Sequence, residues 1–417
     1  MFLALKRWMC WDELGFRYSE VGYFSSSGFG GMHKISKLGS LAGKMTKYYD
    51  IGFNLTDPMY QGIYNGKKYH ESDIAQVFAR AGKQKVRTLL ITGSSLQESR
   101  LAIQLCNSLQ HDEIATYYTV GVHPCCVNEF GQVDDSTIDN PTHDEHYNQL
   151  VHAQTVQDNS VAIAKLATLH SLYMDNLADP KFRAVGEIGL DYDRLYYSSK
   201  EMQKLFFIEQ LKLSCMPALQ HKPLFLHMRG CCEDFVGILK MFIAGFTDST
   251  DFFQLRKLAN VPIDTPMAYK FSPERKFVVH SFTDSPTDLA SLLSLSPNCY
   301  IGMNGASLRN DQNILSAEQV PLDRLLLETD APWCDIRPSH RSYAFLQQRN
   351  YTSNFRSVKR DKFAKIDAAE RDNVMIKNRN EPCNIEQVAI VIANIKNIPL
   401  EKLAAAVWEN SCSVYGE

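Results

Sequence analysis

Four ionisable residues stand at or just beyond the ends of short apolar runs that are far apart in the chain. Glu187 closes Ala184-Val185-Gly186-Glu187, His227 closes Pro223-Leu224-Phe225-Leu226-His227, His280 follows Phe277-Val278-Val279, and Asp330 follows Leu325-Leu326-Leu327-Glu328-Thr329. Two carboxylates and two imidazoles form the oxygen and nitrogen donor set that holds a divalent metal ion and activates water. The chain has 12 histidines, and a lone one at a strand end is commonly a hydrogen-bonded structural residue; four placements at the ends of separate runs argue for a site instead. His123, in Gly121-Val122-His123-Pro124, follows another such run, where contact with substrate phosphate or water and stabilisation of a turn are both open. Arg229, two residues past His227, offers a guanidinium fork suited to phosphate oxygens, with a surface ion pair as the alternative. A denser group, His143, Asp144, Glu145 and His146 with His152 nearby, lies in a polar stretch with no strand to fix it and is set aside.

These residues meet only if the runs that carry them are strands of one sheet pointing the same way. Strands are predicted over 48–54, 86–92, 116–122, 183–188, 223–227, 276–280, 299–303 and 324–328, and helices between them over 72–81, 96–109, 200–219, 233–246 and 287–295. Several strand candidates are almost continuously apolar, as parallel strands covered on both faces must be. Eight alternations predict an α/β fold, a single (β/α)₈ TIM barrel, whose strand ends converge on one mouth. An open doubly wound sheet is the alternative, but its Gly-x-Gly-x-x-Gly turn is missing, since Gly52 is followed by Phe53-Asn54-Leu55. The long stretches 128–151, 247–273 and 335–379 are expected to be surface insertions or rims of the site.

At 417 residues and 45% hydrophobic, the chain can bury a large core. A net charge of -3 supplies no global field for nucleic acid, so contact with it must be local. Residues 356–365 offer such a patch, with Arg356, Lys359, Arg360, Lys362 and Lys365 against Asp361, unless they form only a solvated basic loop. The 11 cysteines include the adjacent pairs Cys125/Cys126 and Cys231/Cys232 and no Cys-x-x-Cys, which argues against disulfide frameworks and thiolate zinc and fits a reducing compartment. No apolar run approaches the roughly 18 residues of a membrane helix, so no membrane association is expected. Residues 1–47 read as a loosely ordered extension before a catalytic domain at 48–417. Its Asp12, Glu13 and Glu20 count against mitochondrial targeting, leaving cytoplasm, with the nucleus as an alternative.

Seven segments in order, Asp50-Ile51-Gly52-Phe53-Asn54-Leu55-Thr56-Asp57-Pro58, Gly121-Val122-His123-Pro124, Gly186-Glu187-Ile188-Gly189-Leu190-Asp191, Leu226-His227-Met228-Arg229, Val279-His280-Ser281-Phe282, Glu328-Thr329-Asp330-Ala331-Pro332-Trp333 and Arg379-Asn380-Glu381-Pro382, closely resemble the TatD family of metal-dependent deoxyribonucleases, in its eukaryotic branch. The resemblance implies a metallo-dependent hydrolase barrel acting on DNA with Mg²⁺, or Mn²⁺, as a 3′-to-5′ exonuclease with scope for endonuclease activity. It implies Glu187, His227, His280 and Asp330 as metal ligands. Glu187 and Asp330 are the catalytic pair, Glu187 bridging two ions where two bind and Asp330 orienting or deprotonating the attacking water; His123 and Arg229 are candidates for the substrate phosphate. Many relatives carry a His-x-His metal pair where this chain has Gly52 and Asn54, which predicts a hard, exchangeable ion and a gain in Zn²⁺ affinity if both positions are made histidine. Two other readings are kept: a metal-dependent aminoacyl-tRNA deacylase using the same site, and a non-catalytic nucleic-acid-binding barrel.

Overall fold

The structure, a computed structural model, describes residues 46–132, 145–262 and 265–417. The N-terminal extension therefore lies outside the described residues, as do His143 and Asp144 of the group set aside above.

Eight parallel strands run in sequence order around the sheet: β1 (Tyr48–Phe53), β2 (Val86–Ile91), β3 (Ala115–Val120), β4 (Phe182–Asp191), β5 (Leu224–Arg229), β6 (Phe277–His280), β7 (Cys299–Met303) and β8 (Leu325–Leu327). Helices cover the outside, among them Ile74–Lys83, Leu96–Ser108, Lys200–Ser214, Cys232–Ala244, Pro286–Leu293, Asp311–Gln319 and Ile385–Ile395. The side chains alternate as a barrel wall requires. Tyr49, Ile51, Leu90, Ala184, Phe225, Val278 and Leu326 form one buried cluster with Trp408, Val414 and Tyr415 of the last helix. Their neighbours Leu89, Val185, Leu224, Leu226, Val279, Leu325 and Leu327 belong to the larger core under the helices. Two residues beyond Phe225, Val278 and Leu326 stand His227, His280 and Glu328, so the strand period alone turns these three onto the inner face.

β8 and β1 have no strand ladder between them; they are joined by a single parallel bridge, Phe53 to Ala331. Hydrogen bonds stitch this seam: Asp330 N donates to Gly52 O at 2.9 Å, Asn54 N to Ala331 O at 2.9 Å, and Thr329 N to Asp50 Oδ1 at 2.9 Å. The barrel is nearly closed, as expected from the eight alternations.

The long stretches are insertions that carry some structure. Residues 246–248 pair antiparallel with 267–269, and Arg356–Val358 pairs parallel with Val374–Ile376. The polar stretch before residue 151 runs into a helix, Glu145–Gln157, followed by Ser160–Asp175. In the second of these, Ala162, Leu166, Leu169 and Tyr173 form a buried stripe at helical spacing, which a strand-led reading of the segment passes over. Among the described residues no helix is long and apolar enough to cross a membrane.

Candidate metal centre

Strand register builds the site. His280 pairs with His227 across β6 and β5, and Gly189 of β4 pairs with His227, which puts Asp191 beside Arg229. β4 continues to Asp191, past the predicted end at 188, and so delivers Glu187 and Asp191 together. His227 lies between them, Nδ1 3.0 Å from Glu187 Oε1 and Nε2 3.1 Å from Asp191 Oδ2. His280 Nε2 is 2.6 Å from the same Glu187 oxygen, and its Nδ1 is 3.4 Å from Glu328 Oε2. His123 Nε2 is 3.4 Å from Glu187 Oε1. One carboxylate oxygen is therefore approached by three imidazoles, and all of these side chains are buried.

The electrostatics describe a place built for positive charge. Burial raises the Glu187 carboxyl, but His123, His280 and His227 outweigh it and hold the group well below the usual carboxylate range. Asp191 is likewise lowered against the penalty of burial, by His227, Arg229 and Arg194. Burial disfavours a charged His280, yet Glu187 and Glu328 raise it well above the ordinary imidazole value. Burial raises Glu328 despite His280. Asp191 Oδ1 is buried with no hydrogen-bond partner, an arrangement that is costly unless a cation or donor meets it. Imidazoles alternating with ionised carboxylates fit a divalent ion, because a metal can replace the protons the imidazoles otherwise hold. The donor atoms of His123, Glu187 and His227 lie within 4.8 Å of one another.

Asp330 occupies the adjoining loop in the left-handed region, φ 51°. Asn54 Nδ2 donates to its Oδ1 at 2.8 Å and Cys334 Sγ to its Oδ2 at 3.1 Å. Burial and Asp330 together keep the Cys334 thiol far above its ordinary value, so it serves as a donor. Arg229 is largely buried, with Nη1 3.9 Å from Asp191 Oδ2; it is not a surface ion pair. Burial opposes its charge, but Asp191, and more remotely Asp330, hold it charged. His123 combines both of its candidate environments, since Nδ1 accepts from Cys125 N at 3.0 Å in the turn while Nε2 faces Glu187.

Sequence reasoning missed the supporting residues. Asp191 and Glu328 both lie inside the quoted motifs, and their spacing points to the site: Asp191 is four residues beyond Glu187 on an extended strand, and Glu328 two beyond the inward Leu326. Asn380 donates to Thr329 O at 3.0 Å and to Trp333 O at 2.7 Å, on both sides of Asp330. A Cβ on Gly52 would lie 2.7 Å from the carboxylate tip of Glu328, Oε2, so a side chain there must displace that carboxylate. Asn54 is also already committed to Asp330. His146 is exposed and His152 half-buried, and neither joins a metal-capable group among the described residues. A second grouping, His123, Cys125 and Asp191, is poorly suited to another cation. Burial keeps the Cys125 thiol protonated, and Arg194 and Arg229 stand 3.5 and 3.9 Å from Asp191 Oδ2.

A barrel of this topology gathers buried histidines and carboxylates at its mouth, where the active sites of such barrels stand. The family described as TatD related DNase matches residues 49–416. The chain is 51% identical over 387 residues to Deoxyribonuclease Tat-D of Saccharomyces cerevisiae, covering 89% of this chain and 91% of that protein. It is 29% identical over 296 residues to the 3′-5′ ssDNA/RNA exonuclease TatD of Erwinia tasmaniensis, covering 70% of this chain and 83% of that one. Its fold matches the crystal structure of an uncharacterized amidohydrolase from Saccharomyces cerevisiae with a TM-score of 0.82 and 48% identity, over 89% of this chain and all of the other. The chain belongs to the TatD-related DNase family, and so to the hydrolases that act on phosphodiester bonds.

Proposed function

We propose that the protein is a metal-dependent deoxyribonuclease that removes nucleotides from the 3′ end of DNA, using Mg²⁺ or Mn²⁺ held by Glu187, His227, His280 and Asp330. The observation that carries this reading is the meeting of His123, His227 and His280 on one oxygen of buried Glu187, at 3.4, 3.0 and 2.6 Å. When bound there, a divalent ion supplies Lewis-acid polarisation of the phosphoryl group and neutralises its charge. Asp330 orients the attacking water and takes its proton, with its carboxylate aimed by Asn54 and Cys334. Arg229, held charged by Asp191, grips non-bridging phosphate oxygens, and His123 adds a second contact. Asp191 fixes the ring of His227, the support that metal-binding imidazoles need, and Glu328 faces the ring of His280.

The test is digestion of end-labelled single-stranded DNA by purified protein after EDTA treatment, with and without added Mg²⁺. A 3′ label should leave at once as mononucleotide, a 5′-labelled strand should shorten as a ladder, and both should need the metal. Release that is unaffected by EDTA, or no release under any metal, would overturn the proposal. Nicking of closed circular DNA in the same buffer measures endonuclease activity separately.

A further inference from the structure

The insertions that follow β1 and β8 leave neighbouring strands on the mouth side of the barrel, and they pack on each other. The first contains a small hairpin, Ile63–Tyr64 paired with Lys67–Lys68, and the second contains the pair Arg356–Val358 and Val374–Ile376. Tyr64, Phe363, Val374 and Ile376 form a buried cluster of their own, against which Tyr69 and Val358 pack. On this small core the guanidinium of Arg360 lies 4.6 Å over the ring of Tyr69 and 5.1 Å over that of Tyr64. Lys67 Nζ lies 5.4 Å over Tyr69. Tyr69 is thus a partly exposed ring flanked by two cations.

Charge pairing decides which basic groups are available here. Arg356 is taken by Glu370 at 2.8 Å, Lys68 by Glu71 at 3.1 Å, and Lys362 has Asp361 at 3.9 Å. Among the described residues, Lys67, Lys359, Arg360 and Lys365 are within 4.0 Å of no carboxylate, and the three lysines are exposed. The unit is also tied to the catalytic loop. Val374–Ile376 runs within a few residues into Asn380, whose side chain holds the carbonyls on either side of Asp330.

We propose that this face is a subsite for single-stranded DNA, which takes backbone phosphates on Lys67, Lys359, Arg360 and Lys365 and one unpaired base against Tyr69. It rests on the nuclease reading above and says where the strand beyond the reacting nucleotide lies. Cations interleaved with an aromatic ring are what a single strand requires, because phosphates meet the charges and any base can stack on the ring. A duplex would meet the charges only. The location also supplies the local positive charge that a chain of net charge -3 needs to attract a polyanion.

The experiment compares wild type with Lys67→Ala/Lys359→Ala/Lys365→Ala and, separately, Tyr69→Leu, which keeps apolar packing and removes the ring. A labelled oligothymidylate is bound in EDTA across a salt series, and hydrolysis of that oligomer is compared with hydrolysis of bis(p-nitrophenyl) phosphate in Mg²⁺. The triple variant should weaken oligomer binding and flatten the salt dependence by about 0.7 log units per lost phosphate contact. Tyr69→Leu should weaken it on the order of tenfold with the salt slope kept. The small diester, which does not reach the insertions, should be hydrolysed at the wild-type rate by both. Unchanged binding in both variants overturns the subsite, as does a parallel fall on oligomer and small diester. Tyr69→Leu binding the oligomer as wild type does overturns the single-strand assignment. If wild type hydrolyses neither substrate, the nuclease reading fails; a lysine- and tyrosine-dependent affinity measured in EDTA then still stands by itself.

Discussion

Replacing Asn380 should cripple catalysis more than it loosens the fold. The residue is 4% exposed, and its Nδ2 donates to Thr329 O at 3.0 Å and Trp333 O at 2.7 Å, while its Oδ1 accepts from Glu381 N and Asn384 Nδ2 at 2.9 and 2.8 Å. Its main chain adds Asn380 N to Pro332 O at 2.9 Å, and Tyr60 donates to its carbonyl at 3.0 Å. The flanking residues are anchored in turn: Arg379 to Asp73 at 2.6 Å and Glu381 to Arg80 at 2.6 Å, all buried. Asn380 is thus a rigid post against which the loop bearing Asp330 is held.

In Asn380→Ala the buried carbonyl of Thr329 loses its side-chain donor, at a cost of about 1–3 kcal/mol, and the partly exposed carbonyl of Trp333 loses one worth about 1 kcal/mol. The sum, about 2–4 kcal/mol, is measurable by urea denaturation with the slope unchanged. A displacement of Asp330 by about 1 Å would lower kcat on the order of 10²-fold. KM for the small diester should change much less, since Asn380 touches no substrate. Asn380→Asp keeps the shape but sets a carboxylate oxygen against two carbonyl oxygens, so both losses should exceed those of the alanine variant. A variant that loses the predicted stability yet keeps wild-type kcat would refute the reasoning and leave Asn380 a structural residue only.

Glu187→Gln and Asp330→Asn should each lower turnover by about 10²-fold or more with unchanged circular dichroism, because both act through the metal and the attacking water; near-wild-type rates in both would sink the site assignment. Exhaustive dialysis should strip the metal, and millimolar Mg²⁺ or Mn²⁺ should restore activity; retained stoichiometric zinc, read by elemental analysis, would contradict the ligand set. Gly52→His/Asn54→His should gain Zn²⁺ affinity while displacing the Glu328 carboxylate, whose tip a Cβ on Gly52 would approach to 2.7 Å; zinc binding no tighter than wild type would refute this. Burial pushes Glu129, which accepts from Leu96 N, up to about 7. Its protonated form is favoured in the fold, so its contribution is full below the unfolded value of about 4.3 and is lost as pH rises through 7. Wild type should therefore lose on the order of 1–3 kcal/mol relative to Glu129→Gln between pH 4 and pH 8, and parallel pH curves for the two proteins would show that Glu129 is not the cause.

The barrel and the meeting of Glu187, His227 and His280 were legible because both are written in short-range pattern. Apolar runs mark the strands, and a period of two carries Phe225 to His227 and Val278 to His280 on the inner face. What was not legible depends on register between strands and on contacts across insertions. Asp191 reaches His227 because Gly189 is the residue opposite it, a fact of pairing that β4 alone does not encode. Asn380 reaches Thr329 across a separation of 51 residues, and no local signature announces that contact. The same holds for the union of Tyr64 with Phe363, which turns a basic stretch of unclear role into a face with an aromatic floor.

The seam between β8 and β1 shows what Gly52 and Asn54 do in this chain. A parallel barrel whose first and last strands share only one bridge needs other bonds to close it, and here Asp50 supplies them through Thr329 N and Thr329 Oγ1, at 2.9 and 2.5 Å. Burial pushes Asp50 up to about 8 against these same bonds, so the closure is made at some electrostatic cost. Glu328 fills the space a side chain at position 52 would enter, and it uses that space to face His280. Asn54 spends its amide on Asp330. Positions 52 and 54 are therefore engaged here in closing the barrel and aiming one carboxylate. Histidines at both positions would have to displace the Glu328 carboxylate from beside His280 and take the Asn54 amide away from Asp330. The seam thus fixes the Asp330 carboxylate, and with the ligand set proposed above the hold on an ion would depend chiefly on Glu187, His227 and His280 together with that same Asp330.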